Sequence, residues 1–187
     1  MRPRAQYVVN VGLLETGFDI TGRLRAAFPP RPIDARIETA FGPSGTSYPD
    51  AADFVLHCDG KTWEQVDRAF ISRCADVLGF LKVPAVVNVL PAYLNLMLEL
   101  AMDLRSSLPD DLMQLLTKPM PSDRSSFKGL VERQTKRFDE LAGLLSHEQR
   151  HAIADILSRV VSDYPSVGDQ AQIALDRYWS QFTVEEQ

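Results

Sequence analysis

Cysteine is scarce in this chain: Cys58 and Cys74 are the only two among 187 residues. One possible pair is no disulfide framework, so the expected setting is a reducing one, the cytoplasm. With 10 Gly and 12 Pro, the composition is neither fibrous nor disordered. Long hydrophobic runs are lacking too. The charge-free stretch 83–98 has 16 residues and contains Pro84, Asn88, Pro91 and Asn95, whereas a bilayer span needs about 20 apolar residues. It reads as a buried helix, and no membrane role is expected. The opening MRPRAQYVVNVGLLETGF carries two early Arg, but Asn10 and Gly12 break its apolar stretch, which ends in Glu15 without a cleavage pattern. No signal peptide is expected.

Neither sign of charge dominates strongly. Twenty Lys and Arg stand against 25 Asp and Glu, a formal net charge of -5, which is the wrong sign for gripping phosphate backbones and argues against nucleic acid as a partner. The charge is uneven: residues 1–36 hold six Arg against Glu15, Asp19 and Asp34, leaving an acidic remainder. The familiar nucleotide and hydrolase signatures are missing. There is no GxSxG and no GxGxxG, and GPSGTS (42–47) lacks the lysine that would meet phosphates.

What is present is 45% hydrophobic residues in helical periodicity, enough for one core and one domain over 1–187. Residues 1–18 read as an N-terminal arm, with YVVNVGLL (7–14) a short strand or an irregular cover. Asp19 is placed to cap a helix through Ile20, Leu24 and Phe28 that Pro29-Pro30 ends. One or two helical turns are expected over 33–41, then a loop to Asp53. Thr62 and Gln65 form a capping box opening a helix with Trp63, Val66, Phe70, Cys74, Val77 and Leu81 on one face, which puts Cys74 in the core. A segment from Pro84, kinked or restarted at Pro91, is apolar except for a stripe of Asn95, Glu99 and Asp103, the pattern of a central helix that others wrap.

A short helix over 109–118 follows. A longer one carries Phe127, Leu130, Val131, Gln134, Phe138, Leu141 and Leu145, with Lys128, Arg133, Lys136 and Arg137 on a solvated face. Ser146 caps the next, whose Ile153, Ile156, Leu157, Val160, Val161 and Tyr164 face inward. Beyond Pro165-Ser166, residues Ala171 to Phe182 line a last amphipathic helix. The expected fold is mainly α: a single-domain multi-helix bundle around a buried central helix, with little or no strand.

The sharpest chemical motif is His147-Glu148-Gln149-Arg150-His151, a literal HExxH. In zinc hydrolases two His one turn apart bind the metal and the Glu is general base. Against that reading, both His project about 120 to 160° away from the apolar stripe of their helix. Ser146 and Gln149 already make a capping box there, and Arg150 puts charge at a middle position where zinc hydrolases exclude it. Asp155 lies one turn on, but no downstream ligand has a recognised spacing. His57-Cys58-Asp59 offers three ligands in a row, which rarely converge on one ion; a strand or turn edge is expected there.

The landmarks AFPPRP (27–32), GKTW (60–63), LPAYL (90–94), LLTKPMP (115–121) and RFDELAGLLSHEQRHAI (137–153) together resemble a bacterial family of helical proteins catalogued as a domain of unknown function. The resemblance spans about 19–182. It implies a helical fold and brings no catalytic residues, and the two histidines are not part of its pattern.

The expected function is a non-enzymatic, cytoplasmic protein-binding module, most concretely an immunity or antitoxin protein covering a basic toxin domain. Its candidate partner-binding residues are Asp50, Asp53, Asp59, Asp67, Glu99 and Asp103, within a stretch (48–111) holding ten acids against five bases. No cofactor and no catalytic residue are expected. The alternative is a zinc hydrolase with His147 and His151 as ligands and Glu148 as base. A pocket between helices is a third possibility without a ligand cue.

Overall fold

The computed structural model describes residues 19–41, 49–100, 106–123 and 128–183; the N-terminal arm and its expected strand lie outside them. Helix α1 (Ile20–Ala27) starts where the Asp19 carboxylate accepts the Gly22 N–H, at 2.8 Å, and stops before Pro29-Pro30. After the one-turn α2 (Ile37–Ala40), a helix that the sequence did not suggest, α3 (Ala51–Cys58), occupies part of the expected loop. Ala51, Phe54 and Cys58 form its buried face, one turn apart each time. His57 and Cys58 therefore end a helix rather than lie on a strand or turn edge. The chain leaves α3 through Gly60, whose φ of 71° lies in the left-handed region that suits glycine.

The expected helix from Thr62 to Leu81 is broken into three. The Thr62–Gln65 capping box is present, but it opens only a 3-10 turn, Trp63–Gln65. Asp67 then caps a fresh helix, α4 (Arg68–Arg73), by accepting from Ala69 N and Phe70 N. Cys74 ends α4, and a second 3-10 turn covers Ala75–Gly79. Even so, Trp63, Val66, Phe70, Cys74, Val77 and Leu81 are all buried. The breaks redirect the backbone while keeping the apolar side chains inward.

Helix α5 (Val83–Leu100) runs through Pro91 without a stop. Its residues Val89, Leu90, Leu94 and Met97 are fully enclosed, and α1, α2, α4, α6, α7 and the 63–65 turn pack around it. It is the central helix. Asn95, the first member of its polar stripe, accepts a hydrogen bond from the Thr21 hydroxyl on α1, 3.0 Å.

Helix α6 (Leu108–Leu116) and α7 (Lys128–Leu144) follow, then α8 (His147–Asp163), which opens with the Ser146–Gln149 capping box. Pro165 starts α9 (Pro165–Arg177), which pairs with α8. At Gly168 the two come so close that a methyl group would stand 3.3 Å from the Val161 carbonyl oxygen. The last helix does not reach Phe182: it ends at Arg177, and Trp179–Phe182 turns as a 3-10 segment back onto α8. Trp179 is fully buried, its indole N–H donating to the Leu116 carbonyl at 2.6 Å.

The fold is a mainly α multi-helix bundle. Among the described residues the sole β contact is an isolated antiparallel bridge, Phe41 with Leu81. One contiguous cluster of buried side chains runs from Leu24 to Phe182. No helix among the described residues is long and apolar enough to cross a membrane.

Candidate functional site

Four of the six candidate acids are exposed around the corner made by α3 and α4. Asp50 and Asp53 lie at the start of α3, Asp59 follows its end, and Asp67 precedes α4. His57 ties the corner together. Its ring stacks on Phe70, 4.6 Å between centroids and nearly parallel, with Nδ1 2.8 Å from the Asp53 carbonyl and Nε2 3.9 Å from the Asp67 carboxylate. The buried face of α3 turns Leu56 outward between Asp53 and Asp59, and Leu56 is 71% exposed. A large aliphatic side chain is thus exposed three residues from Asp53 and three from Asp59 in the sequence.

The four acids have different jobs. Asp67 caps α4, and Asp59 accepts the Ala35 N–H at 2.9 Å, fastening the 33–36 segment to the end of α3. Both carry structural loads. Asp50 holds the N-cap position of α3 without using its side chain as the cap, and Asp53 adds its charge to the same first turn, where carboxylates are favoured by the helix dipole. Glu99 is in the last turn of α5, and Asp103 lies outside the described residues.

Cys58 lies between Asp53 and Asp59 in the sequence. The thiol is enclosed in the core, and burial pushes its pKa up to about 12, so thiolate is negligible at neutral pH. Cys74 is buried as expected, and its thiol is likewise raised, chiefly by desolvation and then by Asp50.

The HEQRH segment is the first turn of α8, but it is not fully solvated. Phe182 comes back over it: the His147 and His151 rings lie 6.1 and 6.0 Å from the Phe182 ring, and the Arg150 guanidinium sits 5.6 Å above it. The two imidazoles meet edge to face at 4.4 Å. His147 is exposed while His151 is half-buried, with Nδ1 enclosed. The helical angle puts both rings off the α8 stripe, as expected; the C-terminal turn then covers that side.

As a zinc-hydrolase site the segment fits poorly. The Glu148 carboxylate is held below its usual range by its own backbone N–H and by the Ser146 hydroxyl, 2.8 Å away, which makes it a weaker base. Asp155, one turn on, pairs with Arg23 of α1. Among the described residues no third His, Cys, Asp or Glu gathers with the pair.

The structure has a cleft between helices whose place the sequence does not give. The 75–79 turn, α6, α7 and α9 enclose a cleft of about 810 Å³. Asp76, Asp110, Asp111 and Arg137 line it together with Leu78, Met113 and Phe138. Arg137 is not on a solvated face: it is half-buried and donates to the Leu78 carbonyl at 2.6 Å. Nothing in the periodicity of α7 could show this, because the turn it reaches is about 60 residues away in sequence. Compared with protein-family models, curated proteins and solved structures, the chain matches none of them.

Proposed function

We propose that the protein is a non-enzymatic, cytoplasmic protein-binding module of the immunity or antitoxin type, whose α3–α4 corner covers a basic partner. The observation that carries this reading is Leu56, 71% exposed on a helix whose opposite face is buried, with the exposed Asp53 and Asp59 three residues away on either side in the sequence. Exposed acids raise the association rate with a cationic surface, and a central aliphatic side chain supplies the desolvated contact that holds it. The net charge of -5 supports a protein partner rather than a nucleic acid.

The test is capture of the partner from the native host at native expression level, by wild type and by Asp50→Lys, Asp53→Lys and Leu56→Asp variants with unchanged thermal melts. The expected result is a basic partner that wild type retains at low salt and releases as salt rises, with each variant retaining less. No partner at all, or one held equally by wild type and all three variants, would overturn the reading.

A further inference from the structure

Both nitrogens of the His57 ring face oxygen. Nδ1 is 2.8 Å from the Asp53 carbonyl oxygen, which can only accept, so Nδ1 carries a hydrogen and donates it. A neutral imidazole has a single N–H, and that bond uses it. Nε2 then turns a lone pair toward the Asp67 carboxylate, 3.9 Å away, an acceptor facing an acceptor. With a second proton on the ring, Nε2 presents an N–H to the same carboxylate, and an oxygen is answered on each side.

The surroundings suit that cation. His57 lies in the last turn of α3, where the helix dipole favours positive charge. Its ring lies flat on Phe70, with 3° between the planes, and the face of an aromatic ring attracts a cation. The carboxylate it meets is held in place, because one oxygen of Asp67 accepts from Ala69 N and Phe70 N while the other points at the ring. Asp53 and Asp59 add two exposed acids near the same helix end in the sequence. Among the bases, Lys61 lies four residues on, and Arg68 opens α4 just after Asp67. Arg73, at the far end of α4, donates to the Ala69 carbonyl, and Arg36, where α2 packs on α3, pairs with Asp34. Among the described residues, Asp67 is the one charged side chain that pairs with the ring.

We propose that His57 is a proton-operated latch: its imidazolium ties the end of α3 to the Asp67 cap of α4, and loss of the Nε2 proton releases the tie. The latch belongs to the free chain and stands apart from the partner proposed for this corner. A tie made only by the imidazolium is fully present in acid and is lost as pH rises through the imidazole range, about 5 to 8. Acidification through that range therefore fastens α3 to α4.

The test is a double-mutant cycle in chemical melts of the full chain, with His57→Gln, Asp67→Ser and the double variant, at about pH 5.5 and pH 8. Serine at 67 keeps a capping oxygen but carries no charge and falls short of the ring. The expected coupling is about threefold in the unfolding equilibrium constant at the lower pH, as for a partly exposed ion pair, and absent at the higher one. Nitrogen NMR shifts of the ring, followed over the same range, should show Nδ1 protonated throughout and Nε2 losing its proton as pH rises. In Asp67→Ser that loss should come at lower pH than in wild type. If the double variant does not fold, the ring titrations of wild type and Asp67→Ser decide alone. Equal coupling at both pH values, a hydrogen on Nε2 rather than Nδ1 at pH 8, or a His57 titration unmoved by Asp67→Ser would overturn the proposal.

Discussion

At the scale of single residues, the two tryptophans show what burial of a polar edge requires. Trp179 donates to Leu116 O and Trp63 to Phe28 O at 2.8 Å, so each ring fastens a helix end as well as filling the core. Replacing Trp63 by Phe should cost about 1 to 3 kcal/mol, because the Phe28 carbonyl loses its donor inside the core. Trp179→Ala should cost about 3 to 5 kcal/mol in denaturant melts. The histidines of HEQRH should part company. His147→Ala should change stability by under about 0.5 kcal/mol, as exposed positions do, whereas His151→Ala should cost about 1 kcal/mol through lost packing on Phe182. The sign of the thiol effect is fixed by the raised pKa of Cys58. Between an ordinary thiol value of 9.0 and about 12, the folded chain keeps a proton that the unfolded chain has lost. Stability contributed by Cys58 is therefore intact below pH 9 and falls as pH rises, by about 1.4 kcal/mol per unit. Melts of wild type and Cys58→Ala at pH 8 and pH 10.5 check this: the variant should lose less stability over that interval.

At the scale of elements, capping decides where helices begin, and the sequence hides one cap, Asp67. Asp19 and Ser146 stand just before clean apolar periodicity, so α1 and α8 are legible. Asp67 sits inside a continuous periodicity, where a restart is invisible, because Val66 and Phe70 stay inward either way. Asp67→Ala should therefore cost about 1 kcal/mol by losing the α4 cap, while Asp50→Ala, whose side chain caps nothing, should cost little; chemical melts of both variants distinguish them. Helix α3 was missed for another reason. Its eight residues follow a Gly- and Pro-rich stretch, and three buried positions are too few for periodicity to speak.

At the scale of the whole molecule, the central helix and its wrapping were legible because nearly every residue of α5 is apolar, a pattern that only enclosure explains. The candidate site was legible in part. The acids could be counted along the chain, but the approach of Asp67 to His57 depends on α3 lying against α4 through Phe54, Phe70 and the histidine ring. The cleft was not legible at all, since its four walls are far apart in sequence and Arg137 looks like any other charge on an amphipathic helix. Hydrogen exchange of the protein with its captured partner tests the central claim most directly, because it reports every segment at once. Slowed exchange is expected at α3 and at the start of α4, over residues 50–59 and 67–70, with α8 and α9 unchanged. Protection confined to the α8–α9 side, with α3 exchanging as in the free protein, would contradict it.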